Sequence, residues 1–170
     1  MNDGITQPML APMITSIASI LVACFSFFLN VLYTNKEHRK KNTTYLLTNF
    51  YNPICSLLAE NRELYLHFGP KTFSDYDMNK RMESGVLWES VKKKAVIPNL
   101  DSIRELLMQH QYFYLNTSAK KTYSDLHLHC LAFALYNDEP NEVYWKYKFN
   151  PEWVNIIEEN RKTYIERGSK

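Results

Sequence analysis

From Gly4 to Asn35 the chain carries no charged residue, and Lys36, Arg39, Lys40 and Lys41 follow directly. The centre of this stretch, Met9 to Tyr33, is 25 residues long. At ~1.5 Å per residue, a helix of that length crosses a hydrocarbon core of ~30 Å. Hydrocarbon offers no water to peptide groups, so such a segment must close its hydrogen bonds within itself, as a helix. The constraint divides the chain into a short N-terminus (residues 1–8), a transmembrane helix (9–33), a basic juxtamembrane segment (34–44) and a remainder (45–170).

The charge step sets the expected orientation. Basic residues close to a span stay on the cytoplasmic side, and four stand behind this one with none ahead. The N-terminus is therefore expected outside and the remainder in the cytoplasm, with the bacterial inner membrane as the location. Lys36, Arg39, Lys40 and Lys41 are also placed to meet anionic lipid headgroups. Leu21-Val22-Ala23-Cys24 resembles the cleavage box of bacterial lipoproteins. A cleaved signal, however, needs a positively charged start, and the apolar run continues past Cys24 through Phe25, Phe27, Phe28 and Leu29. An uncleaved anchor is the expectation.

The span is not uniform. Ser16, Ser19, Ala23, Ser26 and Asn30 recur at steps of three and four, which places them on one side of a helix, while Leu21, Phe25, Phe28 and Leu32 populate other sides. Small residues let helix backbones approach closely, and Ser or Asn can hydrogen-bond across the contact. These five residues are the candidate association seam of a homo-oligomer. The bland alternative is a plain anchor whose serines return their hydroxyls to their own helix.

Charge excludes one large class of partner. Of 20 Lys and Arg, four lie at 36–41; of 18 Asp and Glu, Asp3 and Glu37 precede Asn42, which leaves 16 of each sign from Asn42 onward. Nucleic-acid binders concentrate positive charge on the binding domain, so no nucleic-acid partner is expected. Cys24, Cys55 and Cys130 are far apart and form no Cys-x-x-Cys pair, which points to no disulfide framework.

The remainder is rich in Leu, Ile, Tyr, Phe and Trp, enough to bury a core. Apolar residues from Tyr45 to Phe68 follow helical spacing, interrupted at Asn52-Pro53, where a kink or restart is expected, and stopped at Gly69-Pro70. Further helices are predicted from about Tyr76 to Ala95 with a cap at Ser74 or Asp75, over Leu100–Leu115 beyond a stop at Pro98, from Thr117 or Ser118 to Tyr136, and from Asn150-Pro151 onward. Residues 143–149 alternate in part like a strand. A lone strand has no partner here, so an extended segment or short helix laid over the bundle is expected. The fold class is all-α: one N-terminal transmembrane helix and a cytoplasmic bundle of about five helices.

Catalytic signals are scarce. The four glycines are never clustered, so no phosphate-cradling loop can be written, and neither a Gly-x-Ser-x-Gly elbow nor a His-Glu-x-x-His pair occurs. Asp125-Leu126-His127-Leu128-His129-Cys130 has the composition of a metal site. On a helix, however, His127 and His129 point ~200° apart and cannot share an ion; Asp125 and His129, four apart, could, against the bland reading of an amphipathic helix with hydrogen-bonded imidazoles. No metal, cofactor or enzyme activity is expected. The aromatic run Tyr144, Trp145, Tyr147, Phe149 and Trp153 is the candidate partner surface, because Tyr and Trp bury much area with few torsions and keep a polar handle. The expected function is a membrane-anchored interaction, scaffold or sensor protein with a cytoplasmic protein partner. The alternative is a membrane-perturbing effector acting by oligomerisation of the span. At the level of architecture, the layout is similar to that of small effectors of bacterial antiviral-defence and toxin systems.

Overall fold

In the computed structural model the described residues are 7–70, 78–115 and 118–168; the side chains of 7–14, 78–81, 115 and 145 are outside the description. The expected caps at Ser74, Asp75 and Thr117 fall outside it too. The chain divides into two compact units, residues 1–43 and residues 44–170.

The first unit is built on α1 (Gln7–Leu46), whose residues 15–42 are all exposed. A helix near the N-terminus is long and apolar enough to cross a membrane. Along α1, Lys41 Nζ lies 2.8 Å from Glu37 Oε1, one turn away. Their hydrogen bond and mutual charge lower the Glu37 carboxyl pKa and raise that of Lys41.

In the second unit most of the described residues are helical, and none of them forms a strand. Its long helices are α2 (Asn52–Phe68), α3 (Met78–Val91), α4 (Ile97–Gln109), α6 (Lys120–Asp138) and α7 (Glu152–Gly168), with the short α5 (Gln111–Leu115) after α4. The most extensive packing is of α4 on α6, and α2 lies against α3, α4 and α7. Apolar side chains at helical spacing meet in one core, where Ile54, Ile103, Leu107, Leu126 and Ile157 are fully buried.

Proline acts differently from the sequence expectation. Pro53 and Pro98 were expected to kink or stop a helix, yet the backbone stays helical through both. Each is preceded by a π turn, Leu47–Tyr51 and Lys92–Val96. A proline ring has no N–H to donate and collides with the carbonyl four residues back. Widening the preceding turn resolves both problems: Asn52 N–H reaches Leu47 O and Ile97 N–H reaches Lys92 O, each five residues back. Asn52 therefore does not cap a restarted helix. Its side-chain oxygen instead accepts from Arg161 Nε at 2.8 Å, tying α2 to α7. The helix expected over 100–115 begins at Ile97 and breaks at His110.

Two glycines separate packing from propensity. Gly69 ends α2 with φ −61°, so its sign of φ does not demand glycine. A Cβ there, however, would lie 2.3 Å from the Tyr65 carbonyl oxygen. Gly85 lies inside α3 with open space around it. We predict that Gly69→Ala lowers stability by ~1–3 kcal/mol through forced displacement of the last turn. Gly85→Ala should raise it by ~0.5–1 kcal/mol by removing backbone entropy from the unfolded chain. Urea midpoints of the full chain in micelles, followed by circular dichroism, check both signs.

Candidate interaction surface

The region between α6 and α7 is shaped by two asparagines. Asn141 Oδ1 accepts from Val143 N at 2.9 Å and opens a 3-10 segment, Glu142–Tyr147. Asn150 Oδ1 accepts from Glu152 N at 3.0 Å and opens α7, as its Asn-Pro pair predicts. The partial alternation of residues 143–149 thus resolves as a short helix, not a strand.

The segment is held to α6 by His129. Its ring Nδ1 lies 2.7 Å from the Tyr147 carbonyl oxygen, a geometry in which Nδ1–H donates. The imidazole packs among three other rings: Phe133, Phe149 and Trp153 have centroids 5.9, 5.4 and 5.9 Å away. Phe149 meets Trp153 edge to face, 5.7 Å apart at 82°. Burial lowers the His129 pKa, against a smaller opposing effect of the bond to Tyr147.

Beside this latch lies a cavity of about 310 Å³. Helix α6 lines it with His129, Ala132, Phe133 and Tyr136; the segment contributes Tyr144, Tyr147, Lys148 and Phe149. The candidate aromatic residues are thereby separated by role. Tyr144, Tyr147 and Phe149 line the cavity, Trp153 is buried beneath it, and the side chain of Trp145 lies outside the described residues. Sequence reading did not bring His129, Phe133 and Tyr136 into this group. Their spacing on α6, four and three residues apart, is the signal that puts them on one face.

Other candidates stay apart. Among the described residues no group of three His, Cys, Asp or Glu is placed to hold a metal ion. Burial pushes the thiols of Cys55 and Cys130 up to about 12, so at neutral pH they are uncharged and poor nucleophiles. On α1, Ser16, Ser19, Ala23, Ser26 and Asn30 are all exposed and fall within ~80° of arc, opposite Leu21, Phe25, Phe28 and Leu32. Ser19 Oγ donates to Thr15 O at 2.9 Å, the return of a hydroxyl to its own helix. Lys36, Arg39, Lys40 and Lys41 are exposed on the same helix. The chain matches no family model, no curated protein and no solved structure.

His129 gives this surface a pH dependence. Because burial disfavours the imidazolium, its folded pKa lies below the ordinary ~6.5 of the unfolded chain. As pH falls through that value the unfolded chain gains the proton first. The stability that the neutral ring provides is complete above ~6.5 and declines below it until the folded pKa is passed. His129→Asn, which keeps a donor and does not titrate, should be less stable at pH 7.5 but show a smaller loss between pH 7.5 and 5.5. Thermal melts at the two pH values measure the difference; equal losses in parent and variant reject the assignment.

Proposed function

We propose that this chain is a single-pass, membrane-anchored interaction protein that self-associates through its span and takes a cytoplasmic partner at the aromatic surface of its helical unit. The observation that carries the reading is the ring-lined cavity between α6 and the 3-10 segment, in a chain that also has a helix apolar enough to cross a membrane. Aromatic pockets of this kind receive the anchor side chains that dominate binding energy at protein interfaces. The cavity has the rings for that role. The reading needs neither cofactor nor metal. The N-terminus faces out and the helical unit faces the cytoplasm, with Lys36, Arg39, Lys40 and Lys41 among lipid headgroups, in a bacterial inner membrane.

A second reading is favoured by the arc of small and polar residues on α1. In an effector of an antiviral or toxin-type system, clustering of the spans through that arc would make the membrane leak. Both readings need the seam; they differ in the outcome of clustering.

Reporter fusions after Lys170 should be active only with cytoplasmic reporters; activity requiring an extracytoplasmic face overturns the orientation. Ser19→Leu with Ser26→Leu places bulk where backbones must approach, and should weaken association by ~1–3 kcal/mol, whereas Leu21→Ala on the opposite face should change little. Cross-linking in membranes compares the variants with the parent, and equal association in all of them rejects the seam. Dye leakage that follows overexpression and disappears in the double variant identifies the effector; no leakage from the parent identifies the tether.

A further inference from the structure

The helices of the second unit run antiparallel in pairs. Phe50, just before α2, meets the His110 ring at 5.3 Å, while Asn99 Nδ2 donates to Asn61 Oδ1 at 3.0 Å, so α4 returns along α2. In the same way Asn160 donates to Tyr123 while His129 meets Trp153, so α7 returns along α6. Tyr45, where the chain enters the unit, lies 6.0 Å from His110. Tyr114 and Tyr123 are 5.0 Å apart, as are Tyr51 and Tyr164. The entry end of the unit is therefore built from the end of α4, all of α5, the start of α6 and the end of α7.

This end is apolar where it meets solvent. Tyr45, Met108 and Phe113 are exposed there, and Tyr112 is 76% exposed. Its charge is one-sided. Asn42 to Ala59 and Leu106 to Ala119 contain no Asp, Glu, Lys or Arg. The next residues, Lys120 and Lys121, are exposed, and neither is in an ion pair among the described residues. At the end of α7, Arg167 offsets Glu166. The opposite end of α6 carries Asp138, followed by Glu139. A helix favours anions at its N-terminus and cations at its C-terminus, so α6 holds both pairs against its own dipole. Local helix electrostatics does not account for that placement. An external negative surface beside the lysines does.

We infer that the entry end of the helical unit docks on the anionic headgroup surface of the membrane, with Tyr112 and Phe113 in the interface and Lys120 and Lys121 at the lipid phosphates. Aromatic rings settle at headgroup level, apolar side chains sink to the acyl boundary, and lysines are attracted to anionic lipid. A second copy of the chain fits less well, because it sets these lysines against their own kind. The inference rests on the reading of the N-terminal helix as a span. Tyr45 is ten residues past Asn35, ~15 Å of helix, and the headgroup layer covers about half of that. A tilt of the span and the length of a tyrosine side chain close the remainder. Docked in this way, the unit keeps the cavity beside His129 clear of lipid and open to a partner.

The full chain is reconstituted into vesicles of phosphatidylcholine, alone or with one-third phosphatidylglycerol, carrying the photo-crosslinker benzoylphenylalanine in place of Tyr112 or, as a control on the far side of the unit, Val143. Lipid adducts, read by mass spectrometry, should be about tenfold more abundant at 112 than at 143 on the anionic vesicles. Each lysine near an anionic surface strengthens attraction about fivefold. Lys120→Gln with Lys121→Gln should therefore lower the adducts at 112 at least fivefold on anionic vesicles and leave those on phosphatidylcholine unchanged. High salt should do the same to the parent. Equal lipid adducts at 112 and 143, adducts at 112 to a second copy of the chain in place of lipid, or insensitivity to both the lysine pair and the headgroup charge would each overturn the inference. An alkaline carbonate wash tests the underlying reading separately. A chain that stays in the vesicles without lipid adducts at 112 keeps its anchor and loses the docked face, whereas a chain that washes off loses the anchor.

Discussion

The helical unit depends on the way Phe50 is brought into its centre. Phe50 is fully buried and touches the rings of Tyr51, His110, Tyr114 and Tyr123, with centroids 5.0 to 6.4 Å apart. It lies in the π turn that Pro53 imposes on the preceding backbone. Phe50 and Tyr51 are adjacent, so they point in different directions, and both are buried. Phe50 faces α5 and α6, whereas Tyr51 meets Tyr164 of α7 at 5.0 Å. One turn of backbone thereby joins three helices that are distant in sequence.

Polar groups follow from that placement. Asn160 Nδ2 donates to the Tyr123 hydroxyl at 3.2 Å, and the Tyr51 hydroxyl is a further hydrogen-bonding partner of Tyr123. Burial raises the pKa of both phenols, so they remain neutral hydrogen-bonding groups at any ordinary pH. A buried hydroxyl without a partner costs ~1–3 kcal/mol, so this network restricts how α6 and α7 can pack. With α6 and α7 fixed, the loop between them must return over a limited distance. His129 and Trp153, both on the inner side of that loop, then determine where the aromatic segment comes to rest. The cavity is a consequence of the core packing, and it is not a separate device.

The ring-lined surface is presented by α6 and by the 3-10 segment latched to it. Its floor is α6, and its latch is the hydrogen bond from His129 to the Tyr147 carbonyl oxygen. The proposed division of labour is that the span localises and clusters the chain while the helical unit supplies selectivity.

By itself the sequence determined the membrane-length helix, the all-α class and the main inward faces. These depend on local properties: absence of charge over 25 residues, apolar spacing near 3.6, and turn signals at Gly69-Pro70 and Asn150-Pro151. Within the predicted helices, Ile103, Leu107, Leu126 and Cys130 recur at steps of four and are buried. Tertiary structure decided the rest. Asn52-Pro53 and Pro98 read locally as breaks, but packing favours helical continuity, and a widened turn satisfies the proline at less cost than breaking the core contacts on both sides. His129 was legible as an imidazole on a helix; its ring partners come from residues up to 24 positions away. Which aromatics line the cavity and which lies beneath it depends on the angle at which α6, the 3-10 segment and α7 meet. No local pattern encodes that angle, because it is set by side chains interlocking between elements far apart in the chain.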